Sequence, residues 1–347
     1  YKKWSHKIER DFIDIPGERF ADFLGIAPGT GKTSYAAWSD AVLEHFPRNS
    51  DPDSIRWYKE VGMLFENCAP DEPEDFLESY RKSMREAADR CRYLITPSSL
   101  ISRLNSGNYT SDEFPDNFAP IPKASRGDSS ELLNEFEKSF KLYQKKVIQP
   151  LQNLIYQADV IVIPIDVGWI FSSGMATFVD YQKLLESLGY YLESINGFWK
   201  NRFSQMARLS GSNWIRDRSA GNLSKIIICG TKLDTFAPAD RSRVEDLIQQ
   251  MTAVLKKKAN LSGIEITYLT CSAVTCGLPK EGDSLALNGY IDGQPEELNP
   301  SRLPERWPDS WNPEDYQFAI NFDPRINRNG LIPPPQIDLK GLFHELE

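Results

Sequence analysis

Three strand-like segments from Val160 onward, the first two of them apolar runs, constrain the fold more than any other feature. They are Val160-Ile161-Val162-Ile163-Pro164-Ile165, Lys225-Ile226-Ile227-Ile228-Cys229 and the stretch 264–270. The first is short and continuous, as expected of a strand buried on both faces of a sheet, and it ends at Asp166. A Ser172-Ser173-Gly174 turn then leads into a helical pattern reaching about Ile195. Between the second and third runs, Asp240 stands where a helix cap belongs. Val244, Leu247, Ile248, Met251, Val254 and Leu255 follow it at helical spacing, with Lys256, Lys257 and Lys258 near the negative end of that helix. Strand, helix, strand, helix, strand implies an α/β fold built on a mainly parallel sheet with covering helices.

The remaining sequence is of a different kind. At 347 residues the chain exceeds what one compact core usually serves, so a second domain or a large insertion is expected. The block 34–155 reads as helical, which makes it an insertion into a sheet domain formed by 1–33 and 156–347. Within it Leu133, Phe136, Phe140, Tyr143 and Val147 fall on one stripe of a long helix that Pro150 should end or kink. The charged stretch 75–92 reads as a solvated helix face. Residues 10–14 read as a strand stopped by Pro16-Gly17. The Pro-, Gly- and Asn-rich stretch 279–335 reads as loops with a few extended pieces, before a last short helix carrying Leu342 and Phe343.

Composition excludes several classes of function. No apolar stretch is long enough to cross a bilayer, and a net charge of -9 disfavours binding to a nucleic-acid backbone. Five cysteines without a Cys-x-x-Cys pair point to a reducing, cytoplasmic setting, and three scattered histidines have no zinc-ligand spacing. The chain opens on Tyr1 rather than Met, so its natural amino terminus is expected to lie further upstream.

Chemistry is suggested by three short segments. Thr231-Lys232-Leu233-Asp234 directly follows the second apolar run, where ligands of open α/β sheets bind. A carboxylate at Asp234 can accept both the N1–H and the exocyclic N–H of guanine, a pairing adenine cannot make, while the stem of Lys232 lies on the ring face. Cys271-Ser272-Ala273 follows the next run and offers a backbone N–H to the guanine carbonyl oxygen. Asp14-Ile15-Pro16-Gly17 supplies a carboxylate, Asp14, suited to hold Mg²⁺ through water, and a glycine, Gly17, that lets the backbone approach a phosphate. In this order, each at the end of an expected strand, the segments predict a guanine-nucleotide site with GTP or GDP and Mg²⁺ as ligands.

These segments, with Ser34-Tyr35-Ala36-Ala37-Trp38-Ser39, Asp166, Ser172-Ser173-Gly174 and Ile332-Pro333-Pro334-Pro335-Gln336-Ile337-Asp338-Leu339, resemble the YcjX family of stress-associated, Ras-like GTP-binding proteins along nearly the whole chain. The resemblance implies a Ras-like P-loop NTPase domain with a large helical insertion, and a stress-related nucleotide switch in the cytoplasm. Glu18 occupies the position that orients the attacking water in related GTPases, and its charge implies slow hydrolysis. The family's phosphate loop lies upstream of the segment matching Asp14 to Gly17. Only 13 residues precede Asp14, whereas a βαβ unit needs about 30 residues, so the chain is expected to be truncated at its amino terminus.

Two other readings stand beside this one. Pro28-Gly29-Thr30-Gly31-Lys32-Thr33 resembles an ATPase phosphate loop, although Gly25 falls one place too early for Gly-x4-Gly-Lys-Thr. That reading needs a strand squeezed into 20–26, with Asp166 on Mg²⁺. The other is a noncatalytic interaction module that has lost its nucleotide and captures a protein partner through the helical insertion.

Overall fold

The computed structural model describes residues 11–15, 17–26, 34–45, 77–82, 117–121, 123, 126, 130–210, 223–324 and 335–346, with backbone alone at 17–19, 44–45, 130 and 195–210. In chain order, α1 spans Gly17–Ile26 and α2 spans Tyr35–His45. A short helical piece lies at 77–82. Next come α3, Ser130–Tyr143, a π-helical turn, Gln144–Ile148, and α4, Gln149–Gln157. Strand β1, Val160–Ile165, leads into α5, Val167–Ser173, and α6, Met175–Ser210. Then follow β2, Lys225–Gly230, helices α7, Arg241–Met251, and α8, Ala253–Leu261, and β3, Glu265–Thr270. The last elements are β4, Leu278–Lys280, β5, Asp283–Ile291, β6, Gln294–Leu298, and α9, Leu339–Glu345.

β1, β2 and β3 form a parallel sheet in that order, with Val160 opposite Lys225 and Lys225 opposite Glu265. The expectation of a parallel sheet with covering helices therefore holds. Burial on both faces is true of β2, where Ile226, Ile227 and Ile228 are all fully buried. It fails for β1, where Val162 and Pro164 are exposed. These two residues point to the same face of β1, so that face stays partly open, and β1 is an edge strand among the described residues.

The expected strand over 10–14 is not seen in its described part. Residues 11–15 carry no strand pairing, and Phe12 and Ile13 are 71% and 60% exposed. A strand needs a ladder partner for its N–H and C=O groups, and none meets this segment among the described residues.

The helical block follows the expected stripe. Phe136, Phe140 and Tyr143 of α3 are buried with Tyr35 and Trp38 of α2 and with Phe118, whose ring meets Trp38 edge-on at 5.1 Å. Pro150 does not end the helix. A proline cannot donate to the carbonyl four residues earlier and clashes with it, and the wider π turn immediately before Pro150 absorbs this, so that α4 continues to Gln157. One apolar cluster runs from Phe23 and Trp38 through Tyr143 and Ile148 to Ile165, Ile228 and Val244, joining the helical block to the sheet.

Two boundaries differ from expectation. Helix α6 continues past Ile195 to Ser210. The single helix expected after Asp240 is divided at Thr252, whose hydroxyl turns back to the Ile248 carbonyl at 2.8 Å and reaches the Tyr268 hydroxyl at 2.9 Å. The few extended pieces expected within 279–335 are β4, β5 and β6, and they pair into one antiparallel sheet. Its β5–β6 hairpin turns on Asp292-Gly293, both with positive φ, at 52° and 76°. The last short helix is present as α9.

Asp240 also departs from the capping role. It sits at the N-cap position of α7 but makes no cap bond. Its buried carboxylate instead accepts from Arg302 at 2.7 and 2.8 Å, Arg243 at 3.0 Å and the Leu303 N–H at 3.2 Å. Burial pushes this carboxyl upward, but the hydrogen bonds from Arg302 and Leu303 and the charges of Arg302 and Arg243 outweigh it and hold the pKa below the usual range. A group with a depressed folded pKa adds stability above its unfolded pKa of about 3.9 and loses that contribution as pH falls through the folded value. Asp240→Asn should lower the melting temperature at neutral pH, and the gap from the parent should close in acid below the ordinary carboxylate range. A gap that stays constant down to the acid transition would disprove this.

Candidate functional site

The C-terminal ends of β1, β2 and β3 bring the predicted base-reading segments together. Thr231 leaves β2 with its N–H on the Ile165 carbonyl of β1 at 2.9 Å, which ties the loop to the neighbouring strand end. Lys232 takes a left-handed backbone, φ 55°, and this swings the chain into a short 3₁₀ turn over Leu233–Thr235. The Leu233 N–H then reaches the Cys271 carbonyl at 3.2 Å, fastening the loop after β2 to the loop after β3.

Asp234 is the hub of this junction. It is only 2% exposed, and the hydroxyl of Ser272, 38 residues on, donates to its Oδ1. The Asp234 N–H is 3.2 Å from the same Ser272 Oγ. Asp234 Oδ2 accepts from the Cys276 N–H at 2.7 Å and the Gly277 N–H at 3.4 Å. A carboxylate has about four lone-pair sites, so most of its capacity is spent on the protein's own donors. A base that presents two donors to Asp234 would find one site open on Oδ1 and would have to displace at least one of the Cys276 and Gly277 amides from Oδ2.

The other predicted residues fall around this hub. Ala273 is exposed, and among the described residues no acceptor meets its N–H. Ser272 is buried and pairs in both directions with Ile337, its N–H on the Ile337 carbonyl at 2.9 Å and its carbonyl on the Ile337 N–H at 3.0 Å. The Thr275 N–H binds the Pro335 carbonyl at 2.8 Å, so the segment before α9 straps the loop after β3. Lys232, with its side chain 54% exposed, places Nζ 2.9 Å from Asp166 Oδ2. The other oxygen of Asp166 caps α5 through the Trp169 N–H at 2.9 Å. Asp166 thus anchors Lys232 across the two strand ends.

Asp14 is exposed, and no hydrogen bond or ion pair among the described residues joins it or Gly17 to the 231–234 and 272–273 loops. Among those residues no group of three or more His, Cys, Asp or Glu side chains could hold a metal. Gly17 opens α1, and the Glu18 side chain lies outside the described residues, as does the Gly-rich loop over 27–33 with Lys32. The ATPase reading is weakened by α1 itself: Phe20 to Ile26 are helical where a phosphate loop needs a strand before it.

The model of the YcjX-like family, DUF463, matches residues 2–346. The chain belongs to this family. The match takes in the strap at 335–338 as well as the sheet, so the junction around Asp234 lies wholly within the YcjX-like region. No curated protein matches the chain.

Several residues of the junction have no sequence signal. Cys276 and Gly277 act through backbone N–H groups, which leave no trace in side-chain type. Arg241, at the start of α7, keeps Nε and Nη2 buried, with no hydrogen-bond partner among the described residues. Burial lowers its pKa against the opposing carboxylates of Asp234 and Asp338. Burial also pushes the Cys276 thiol up to about 11, helped by the charge of Asp234 and its hydrogen bond. No helix among the described residues is long and apolar enough to cross a membrane.

Proposed function

We propose that this YcjX-like protein binds guanine nucleotides, using Asp234 and the Ala273 N–H to read the base and the stem of Lys232 to cover its face. The observation that supports this most directly is the bond between Ser272 and Asp234. Two short motifs 38 residues apart meet at adjacent strand tips, and beside them stands Ala273, an exposed residue whose N–H meets no acceptor among the described residues. A carboxylate fixed by Ser272 is oriented before any base arrives, which reduces the entropy lost on binding. In the same reading the fold is Ras-like, Asp14 and Gly17 sense the γ-phosphate with Mg²⁺, and the protein acts as a slow, cytoplasmic GTPase switch linked to stress. Slow turnover follows from the negative charge of Glu18, which would repel phosphate.

The test is amide hydrogen exchange with GDP, GTP and ATP, each at millimolar concentration with Mg²⁺. Guanine nucleotides should slow exchange at Ala273 and speed it at one or both of Cys276 and Gly277, because the base displaces at least one of those amides from Asp234. ATP should do neither. Equal responses to guanine and adenine nucleotides, or none at these three amides, would rule out base reading by this junction.

A further inference from the structure

Directly beneath the two base-reading loops, the side chains of Cys229 and Cys271 meet. Cys229 is in β2 and Cys271 is the first residue after β3, and their sulfurs lie 3.3 Å apart. Both are free thiols and both are buried, at 2% and 5% exposure. From Cys229 the chain reaches Thr231 in two steps, and Cys271 is joined directly to Ser272. The Cys271 carbonyl accepts from Leu233, and its N–H donates to the Gly230 carbonyl at 2.8 Å, so this one residue holds both loops in place.

We propose that Cys229 and Cys271 form a peroxide-sensitive dithiol whose oxidation to an intrachain disulfide displaces the 231–234 and 272–277 loops. The pairing of the thiols decides which sulfur reacts first. The hydrogen bond between them lowers the pKa of Cys271 and raises that of Cys229, so Cys271 supplies the thiolate. That thiolate attacks one oxygen of hydrogen peroxide. The O–O bond breaks, hydroxide leaves and is protonated to water, and Cys271 carries a sulfenic acid. The Cys229 sulfur then attacks the Cys271 sulfur, the S–O bond breaks, and the hydroxyl departs as a second water with the Cys229 proton. Two thiols lose two electrons between them, and one peroxide is reduced to two waters.

The strand register explains why this reaction moves the loops. Cys229 stands opposite Leu269 and Gly230 opposite Thr270, so Cys271 lies two residues beyond the partner of Cys229. Bonded sulfurs sit about 2.0 Å apart, and a disulfide tolerates only a narrow range of backbone separation. Closing the gap draws the Cys271 backbone back along the sheet. The Leu233 N–H contact, the Ser272 hydroxyl on Asp234 and the Ile337 pairing all hang from that backbone. The consequence for a bound nucleotide rests on the preceding section, whereas the disulfide and the loop displacement do not.

The experiment exposes the whole chain to dilute hydrogen peroxide, blocks the remaining thiols by alkylation and maps the cross-links by peptide mass spectrometry. The expected product joins the Cys229 and Cys271 peptides with the loss of two hydrogens. It should be reversed by dithiothreitol and absent in Cys229→Ala and Cys271→Ala, and Cys276→Ala should leave it unchanged. After oxidation, amides in 272–277 should exchange about tenfold faster in the parent chain and no faster in Cys229→Ala. No Cys229–Cys271 cross-link in the parent, or a cross-link that leaves exchange in 272–277 unaltered, overturns the proposal. A cross-link with faster exchange in a chain that never binds guanine would sustain it while removing the nucleotide reading.

Discussion

Asp234→Asn should exchange guanine for xanthine specificity. Guanine presents two donors, N1–H and the 2-amino group, and a carboxylate accepts both. An amide keeps one acceptor and replaces the other with a donor, which matches xanthine, where a 2-oxo group stands in place of the amine. A hydrogen bond to a charged group contributes about 1.5–3 kcal/mol, so guanine nucleotides should weaken by about 10- to 150-fold while xanthine nucleotides tighten. The surrounding structure can accommodate the change. The amide oxygen can keep the Cys276 and Gly277 N–H groups, and the amide nitrogen can donate to Ser272 Oγ, whose hydroxyl is free to rotate. The variant should therefore fold, which Asp234→Ala does not guarantee, because it strands three donors in a buried site. Competition titrations with GDP, XDP and ADP are decisive. Loss of guanine affinity without any gain for xanthine would mean that Asp234 serves only to hold the loop.

The junction around Asp234 was partly legible in the sequence, and the reasons are specific. Val160 to Ile165 and Lys225 to Cys229 are short apolar runs of strand length rich in β-branched residues, and any residue directly after such a run lies near the ligand-binding edge of a parallel sheet. That placed Thr231, Asp234 and Ser272 correctly at strand ends. Contacts between distant backbone groups left no such trace. The Ile337 strap and the Cys276 amide depend on how the chain returns to the sheet, and no residue type announces them. The Cys229–Cys271 pair was invisible because 42 residues separate two cysteines that β-pairing alone brings together. Asp292-Gly293 was a readable hairpin signal, but the flanking strand 283–291 buries adjacent Ala286 and Leu287 and exposes Leu285, so it lacks the simple alternation that marks a half-buried strand. The segment at 10–14 had strand-like residues, but residue type alone gives a strand no partner.

Gly289→Val should unfold the second sheet or destabilise it severely. Gly289 lies within β5 and is covered by the Phe322 ring, and a Cβ at that position would collide with the ring carbons. Phe322 cannot easily retreat. It is 5% exposed and packs with Leu287 and Ala319 in a small core of its own, beside Cys276 and Leu298. Its backbone N–H is tied to the Ala319 carbonyl, and the next N–H, from Asp323, binds the Tyr290 carbonyl of β5 at 2.6 Å. Overpacking a closed site costs about 1–3 kcal/mol and sometimes more, and a β-branched side chain against an aromatic face belongs at the upper end. Removing Phe322 instead leaves a cavity, for which losses of about 3–5 kcal/mol are usual. The two changes compensate, since the valine occupies part of the volume the ring vacates. Gly289→Val with Phe322→Ala should therefore be more stable than the sum of the single losses predicts, by about 1 kcal/mol or more in chemical denaturation. Strict additivity would show that the ring is not what excludes a side chain at 289. Because Cys276 belongs to this small core and its N–H holds Asp234, Gly289→Val should also raise amide exchange at Cys276, which couples the packing of the second sheet to the carboxylate at the tip of β2.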